Sequence, residues 1–374
     1  MQLHLVLPGL LWPAKVLYDC AHDLELPALS RLLGCGRVQW TQALPLEQWL
    51  CREFGIATGE APVAGDRTAT GDAPVAQDRL ATEDAPVAPL RLLGEGIDPG
   101  DCVWLCADPI HLGFEQGRLT LGSQVLQLGE AEMQDLLQAL APRMAQIPGY
   151  LHLRAGAAGS GYAYLALAAK PLINTTPPSV ARGMGGIVAL PQGPQAAAWT
   201  RLGNELQMLL HAMPENRQRE AAGLPVVNSL WFWGAGALPP PRQSAAYASI
   251  LGADPLLKGL ARWSGAAVVP QPESGRDLPP EGTSLVCLGE LAAATQSLDA
   301  SLWRKRMLAL EHDWFAPIAA AHSSGRLKTL RLTALGSEAT LELNLRGRDR
   351  FSFWRKPRSL ASLAATGIRA AADD

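Results

Sequence analysis

The sequence predicts an α/β protein: a mostly parallel sheet with helices on both faces and a small α+β insertion. Two observations carry that expectation. Short apolar runs closed by glycine or proline alternate with amphipathic helical stretches at both ends of the chain, which is how buried parallel strands and their crossover helices read. The chain also has 374 residues, 48% of them hydrophobic, enough for two domains with a large core.

The elements follow in order. QLHLVL, stopped by Pro8 and Gly9, is the first buried strand. Residues 26–36 predict a helix with Pro27 in its first turn, and 46–54 a second helix. Three copies at a period of 12 fill residues 60–89 (EAPVAGDRTATG, DAPVAQDRLATE, DAPVAP). They are too poor in large apolar residues to build a core, so they predict a mobile surface loop; a docking arm for a partner is the alternative. Residues 101–107 (DCVWLCA) predict a buried strand. Residues 118–121 and 125–128 suggest a hairpin, 130–144 a helix with Leu136, Leu137 and Leu140 inward, and 150–153 and 162–169 further strands. The clearest helix is 199–213, with Trp199, Leu202, Leu206, Leu209, Leu210 and Met213 on one face. A strand at 226–233 runs into Gly234-Ala235-Gly236. Helices at 256–263 and 299–321 and strands at 283–288, 329–333 and 340–345 complete the chain. The expected division is a core of 1–107 with 190–374 and an inserted subdomain of 108–189.

Charged residues make up 18% of the chain and the net charge is −3. That excludes wholesale disorder and gives no global attraction to nucleic acid or an anionic membrane. The six cysteines form no CxxC pair. Cys102 and Cys106 sit on one strand, too far apart to share a metal or a disulfide. Free thiols, no long apolar run and no basic leader give the expectation of a cytoplasmic protein.

Three groups of residues are candidates for a ligand site. Trp231 and Trp233 could stack on a ligand where Gly234 and Gly236 let backbone approach; a tight loop over an aromatic core is the plain alternative. Asn204, Gln207 and His211 form a polar stripe on the helix, or simply its solvated face. Asp108 and His111 follow a buried strand, where a capped turn is equally ordinary. Arg182-Gly183-Met184-Gly185-Gly186 lies between no clear strand and helix and fails as a dinucleotide loop. Arg346, Arg348, Arg350, Arg355, Lys356 and Arg358, with Phe351, Phe353 and Trp354 among them, could hold an anion or a nucleic-acid strand. A solvated edge with a basic tail is the preferred reading, because the rest of the chain is not basic.

MPENRQREAAGLPVVNSLWFWGAG resembles a stretch of the archaeal-type cofactor-independent phosphoglycerate mutases, with Asn216, Arg219, Gly223, Pro225, Asn228, Gly234 and Gly236 at the matching positions. Trp233 stands where that family has an arginine. LPALSRLLGCGR and DPGD are similar to its first helix and to its lead into a strand. The resemblance implies an alkaline phosphatase-like core with an inserted domain, and an enzyme using two metal ions and a phosphoryl-carrying serine. Here Pro8-Gly9 stands for the aspartate after the first strand, only Thr41 offers a hydroxyl between Arg37 and Pro45, Glu290 and a run of alanines replace an Asp-x-x-x-His pair, and Ala334-Leu335-Gly336 replaces Asp-His. NELQM, NSLWFWG and ADPIHL also resemble segments of a proteobacterial group of mutase-like or RpfE-like regulatory proteins.

The resulting expectation is a bacterial pseudoenzyme without catalytic residues, metal or cofactor. It would bind a small anionic metabolite through Asn204, Gln207, His211, Asn228, Trp231, Trp233, Gly234, Gly236, Asp108 and His111, and act through a protein partner, without nucleic acid or membrane. The rival is an active mutase in which His211 or His111 serves as base and substrate-borne Mg²⁺ replaces the lost ions.

Overall fold

The computed structural model describes residues 1–57, 84–115, 118–121, 126–183, 190–241, 246–352 and 354–363. The first and second repeat copies, residues 60–83, therefore lie outside the described residues. Two compact units are present: Met1–Leu46 with Arg242–Asp374, and Glu47–Pro241.

The first unit opens with β1 (Gln2–Pro8), α1 (Ala14–Ala21), α2 (Pro27–Cys35) and β2 (Arg37–Gln42). The chain then runs through α3 (Leu46–Glu53) and α4 (Val87–Gly94), β3 (Val103–Ile110), β4 (Leu112–Glu115), β5 (Arg118–Leu121), α5 (Glu130–Met144), β6 (Tyr150–Ala155) and β7 (Ala163–Leu167). The second unit ends with α6 (Pro178–Gly183), α7 (Ala196–His211), α8 (Pro214–Ala221) and β8 (Ser229–Gly236). The first unit resumes with β9 (Ser249–Leu251), α9 (Pro255–Ser264), β10 (Ala267–Val269), β11 (Thr283–Cys287), α10 (Glu290–Gln296), α11 (Ala300–Leu310), α12 (Ala316–Ser323), β12 (Thr329–Leu335) and β13 (Ala339–Arg346).

Seven strands form the first unit's sheet, in the order β10-β9-β11-β1-β12-β13-β2. The five from β10 to β12 are parallel, and β13 and β2 are antiparallel to their neighbours. The expected mostly parallel sheet is therefore present. One face is apolar because alternate residues point the same way: Leu3, Leu5 and Leu7 of β1 join Val286, Leu330 and Leu332 beneath Trp303, Met307, Leu310 and Ile318. Helix α9 packs on β9 and β10, and none of its buried side chains joins that core.

The expected long helix over 299–321 is divided by a π turn, Glu311–Phe315. The turn has a use. The Glu311 carboxylate accepts the backbone N–H groups of Ala28 (2.5 Å) and Leu29 (3.1 Å) at the start of α2, where Leu26 supplies no side-chain cap. A carboxylate there satisfies otherwise orphaned donors and meets the positive end of the helix. Glu311→Ala is expected to cost about 1–2 kcal/mol in urea unfolding, and Glu311→Gln less, since its amide oxygen still accepts.

The second unit has an antiparallel sheet, β6-β7-β3-β8, and the separate hairpin β4-β5. Thus β3 belongs to this sheet, and the compact units divide at 46/47 and 241/242 rather than at the 107/108 and 189/190 boundaries expected from sequence. The hairpin pairs Arg118–Leu121 with Leu112–Glu115; of the expected partner 125–128, residues 126–128 form no strand and Val125 lies outside the described residues. Leu136 and Leu140 of α5 and Trp199, Leu202, Leu206 and Leu210 of α7 cover one sheet face, presented by Leu105, Ala107, Leu165, Leu230 and Phe232. The opposite face meets α4.

Asp84, from the last repeat copy, is buried, and α4 begins three residues later. That copy is a folded part of the chain, not part of a loose loop. Its carboxylate accepts the Thr175 backbone N–H at 2.9 Å and also the Thr175 hydroxyl, a tie across 91 residues of sequence.

Candidate functional site

The sequence expected Gly234-Ala235-Gly236 to be a loop past the strand end. These residues are instead the last three of β8. Against β3 the register shifts between Trp104, opposite Gly236, and Cys106, opposite Trp233, so β8 carries one extra residue. Gly234 takes the left-handed conformation (φ 67°) that such a bulge requires. A Cβ on Gly234 would lie 2.9 Å from Val87 Cβ, and one on Gly236 2.6 Å from Pro86 Cβ. The two glycines thus admit the start of α4, not a ligand.

Sheet alternation decides where the other candidates point. Phe232 faces α7, its ring meeting Trp199 edge-on at 5.1 Å. Trp231 and Trp233 face the other way. Trp231 Nε1 donates to Thr176 O at 2.8 Å, and Trp233 Nε1 donates to Asp108 Oδ2 at 2.8 Å. Asn204 and His211 are exposed and Gln207 is half-buried on α7, on the side away from its apolar stripe. They and the tryptophans therefore lie on opposite sides of one sheet. His111 Nδ1 lies 2.9 Å from Val226 O. Asn228 pairs with both backbone groups of Leu112, accepting from its N–H at 2.7 Å and donating to its carbonyl at 2.8 Å.

The motif residues around Asn228 are architectural too. Asn216 donates to Leu210 O (2.7 Å) and Val227 O (2.8 Å) and accepts from Val227 N (2.8 Å). Arg219 donates to Pro225 O (2.6 Å), Gln127 O (3.1 Å) and Glu132 (2.8 Å). Together they fix the turn from α8 into β8.

The α4 face of the sheet holds a polar cluster that the sequence reading missed. Arg91 is the single charge in the apolar stretch VAPLRLLG and is only 5% exposed. Its guanidinium donates to both Asp108 oxygens (3.0 and 2.5 Å) and to the Tyr164 hydroxyl (2.8 Å). It lies 4.0 Å from the Tyr162 ring centroid and 5.5 Å from that of Trp233. Burial works against this charge, but Asp108, Cys106 and Tyr164 outweigh it and raise the Arg91 pKa well above the ordinary value. An arginine inside an apolar helical stretch was the signal available, since it needs a buried partner.

Beside this cluster is a small cleft, about 240 Å³ including space open to solvent, whose walls include Glu47, Gln48, Asp84, Thr175, Trp233 and Gly234. Burial raises the Asp84 pKa against the hydrogen bonds from Thr175. Glu47 accepts from the Ser179 hydroxyl at 2.8 Å. Burial lowers the pKa of nearby Arg182 against Asp108, Tyr162 and Glu47. The chemistry of this cleft suits a hydrogen-bond donor; an anion would meet two carboxylates.

Cys51, one turn from Glu47 on α3, shows the same desolvation. Burial, aided by Glu47, pushes its thiol from 9.0 up to about 12. The folded state favours the neutral thiol, so this contribution to stability is complete below pH 9.0 and is lost as the pH rises towards about 12. Burial likewise raises the Cys106 pKa, while Cys102 is half-buried. Thiol alkylation at pH 8 followed by mass spectrometry is expected to label Cys102 before Cys51 and Cys106.

In the first unit, the carboxyl ends of the parallel strands are where an α/β protein usually keeps its ligand. Here they are filled. Gly9 (φ 82°) follows β1, and a Cβ on it would lie 2.8 Å from the backbone of Leu291 and Ala292 in α10. Its carbonyl accepts from Thr295 Oγ1 and from Trp303 Nε1, each at 2.9 Å. Leu10, Leu11 and Trp12 are buried directly after it. Past β12, a Cβ on Gly336 would lie 2.8 Å from Leu11 Cβ. Past β11, Leu288 is buried and its N–H is held by Val6 O at 2.9 Å. Two hard divalent ions need several carboxylates or imidazoles. One carboxylate is present: Glu290, three residues past β11, accepts from Gln271 at 3.2 Å and its Oε2 is buried without a partner. A single carboxylate does not make a two-metal site, and among the described residues no three His, Cys, Asp or Glu side chains come together as a metal site.

No family model and no curated protein matches the chain. Among solved structures it is similar to a protein from Pyrococcus horikoshii, at 12% identity and a TM-score of 0.50 over all of this chain and 96% of that one. It is also similar to the cofactor-independent phosphoglycerate mutase from Thermoplasma acidophilum DSM 1728, at 15% identity and a TM-score of 0.45 over all of this chain and 99% of that one. At 12% identity the likeness to the Pyrococcus horikoshii protein is one of fold alone. The molecule is thus a mixed α/β protein with a mostly parallel sheet in one unit and an antiparallel sheet in the other. None of its described helices is long and apolar enough to cross a membrane.

Proposed function

We propose that this chain is a phosphoglycerate mutase-like protein that has lost two-metal, serine-based phosphoryl transfer and works by binding a small anionic metabolite, in a regulatory role exerted through a protein partner. The observation that carries the reading is the filled carboxyl end of the parallel sheet. Gly9 is packed against the backbone of α10, Leu11 against Gly336, and Trp303 is hydrogen-bonded to the Gly9 carbonyl. Carbon and backbone stand where phosphoryl transfer of that kind needs charged ligands and an open position. Thr41 does not replace the lost serine: it is exposed on the edge strand β2, paired in register with Thr340 of β13.

The test is conversion of 3-phosphoglycerate to 2-phosphoglycerate in a preparation free of other mutases, with and without Mn²⁺. The expected result is no chelator-sensitive turnover and no change in thermal stability with Mn²⁺. Chelator-sensitive turnover overturns the reading.

A further inference from the structure

A second cleft lies in the first unit, bordered by α2, α12 and the 3-10 turn Gly347–Phe351. Its walls carry Arg31, Cys35, His322, Ser323 and Arg350, around about 260 Å³ that includes space open to solvent. The Arg350 guanidinium lies against Gly325, in the left-handed region at φ 79°, where a Cβ would collide with it. It also stands 4.6 Å from the Phe351 ring centroid. Among the described residues neither Arg31 nor Arg350 has a carboxylate partner.

More positive charge is tied to the same helix. Arg355 Nη1 donates to Cys35 O at 2.5 Å, the Lys356 carbonyl abuts Gly34, and Arg358 N donates to Ser30 O at 2.9 Å. Asp349 is the single acid on α2, α12 and the turn, against Arg31, Arg348 and Arg350, and its carboxylate accepts the Arg346 backbone N–H at 2.7 Å. Residues 354–359 are exposed, as expected of a solvated basic tail, and the Arg355 side chain and the Arg358 backbone N–H are hydrogen-bonded to α2 beside the cleft.

We propose that this cleft is an oxyanion site that takes a phosphate group between Arg31 and Arg350, with the Ser323 hydroxyl as a further donor. Two guanidinium forks match a phosphate dianion in charge and geometry. Phe351 and Trp354, 61% and 69% exposed, stand near it in sequence and would add a stacking surface if the phosphate belongs to a nucleotide. The site builds on the anion-binding part of the proposed function, and gives that anion a place. It is tested separately from the loss of turnover, because Mn²⁺-dependent mutase activity would overturn that loss and leave this cleft untouched.

The experiment is calorimetric titration of the full chain with inorganic phosphate and with adenosine monophosphate, for the native protein and for R31Q, R350Q and R348Q. Arg348 shares the turn but not the cleft. At least one probe is expected to bind, with R31Q and R350Q each weakening it about tenfold or more, R348Q changing it little, and all melting temperatures unchanged. R350K is expected to retain part of the affinity. A nucleotide as the source predicts that Phe351→Ala weakens adenosine monophosphate alone; a free phosphate predicts no effect of that change. Absence of binding by both probes up to roughly 10 mM, or equal losses in R348Q and R350Q, overturns the proposal.

Discussion

Arg91→Ala is expected to destabilise the second unit by about 3–5 kcal/mol, because it leaves the Asp108 carboxylate buried without its counter-charge. Asp108 is only 7% exposed and sits among aromatic rings, where an unpaired carboxylate is costly. Trp233 Nε1 would remain as a donor to it, but one neutral hydrogen bond does not replace a bidentate ion pair. The measurement is urea unfolding followed by far-UV circular dichroism. The double variant Arg91→Met, Asp108→Leu is expected to recover much of the loss, since replacing both partners of a buried pair by apolar groups is often neutral. If the single variant unfolds at the native urea midpoint, the ion pair does not stabilise this face of the sheet.

That pair also shows where sequence reading stops. Strands such as QLHLVL and helices such as 199–213 are legible because their periodicity is local. The apolar face of α7 is the one the spacing indicates for Trp199, Leu202, Leu206, Leu210 and Met213, all buried, whereas Leu209, placed on it by the same spacing, is 43% exposed. Asp108 and Arg91 are 17 residues apart in sequence, and only the packing of α4 on β3 reveals them as partners. The bulge at Gly234 is similarly hidden. A glycine after aromatic residues reads equally as a loop or as a strand irregularity, and the register with β3 decides. RVQWTQ does alternate, but as an antiparallel edge strand it shows only two partly covered residues, Val38 and Trp40. The candidate ligand residues failed to converge for a simple reason. Consecutive strand residues point to opposite faces, so α7 meets Phe232 and cannot also meet Trp231 and Trp233.

Trp303→Ala is expected to cost about 3–5 kcal/mol, the range for emptying a buried aromatic site. The indole is fully buried, meets the Trp12 ring edge-on at 6.1 Å, and donates to the Gly9 carbonyl at 2.9 Å. Trp303→Phe removes the donor but keeps most of the volume, so about 1–3 kcal/mol should remain as the cost of an unsatisfied carbonyl; Thr295 still donates to that oxygen and places the value at the lower end. Gly9→Asp gives the same question a chemical form. It puts a carboxylate after β1, where the resembling mutases have one. The left-handed backbone and the 2.8 Å approach of α10 leave it no room, so the variant should be destabilised by at least about 2 kcal/mol from backbone strain and overpacking. It should also gain no Mn²⁺ binding, because Leu288, Gly289, Leu335 and Gly336 offer no side-chain ligand and Glu290, held by Gln271 at 3.2 Å, would be a lone second carboxylate. A Gly9→Asp protein that keeps native stability and binds Mn²⁺ would mean that the strand ends can open into a site. Loss of stability in both Trp303→Ala and Gly9→Asp, without any metal response, is what a strand end converted into core requires.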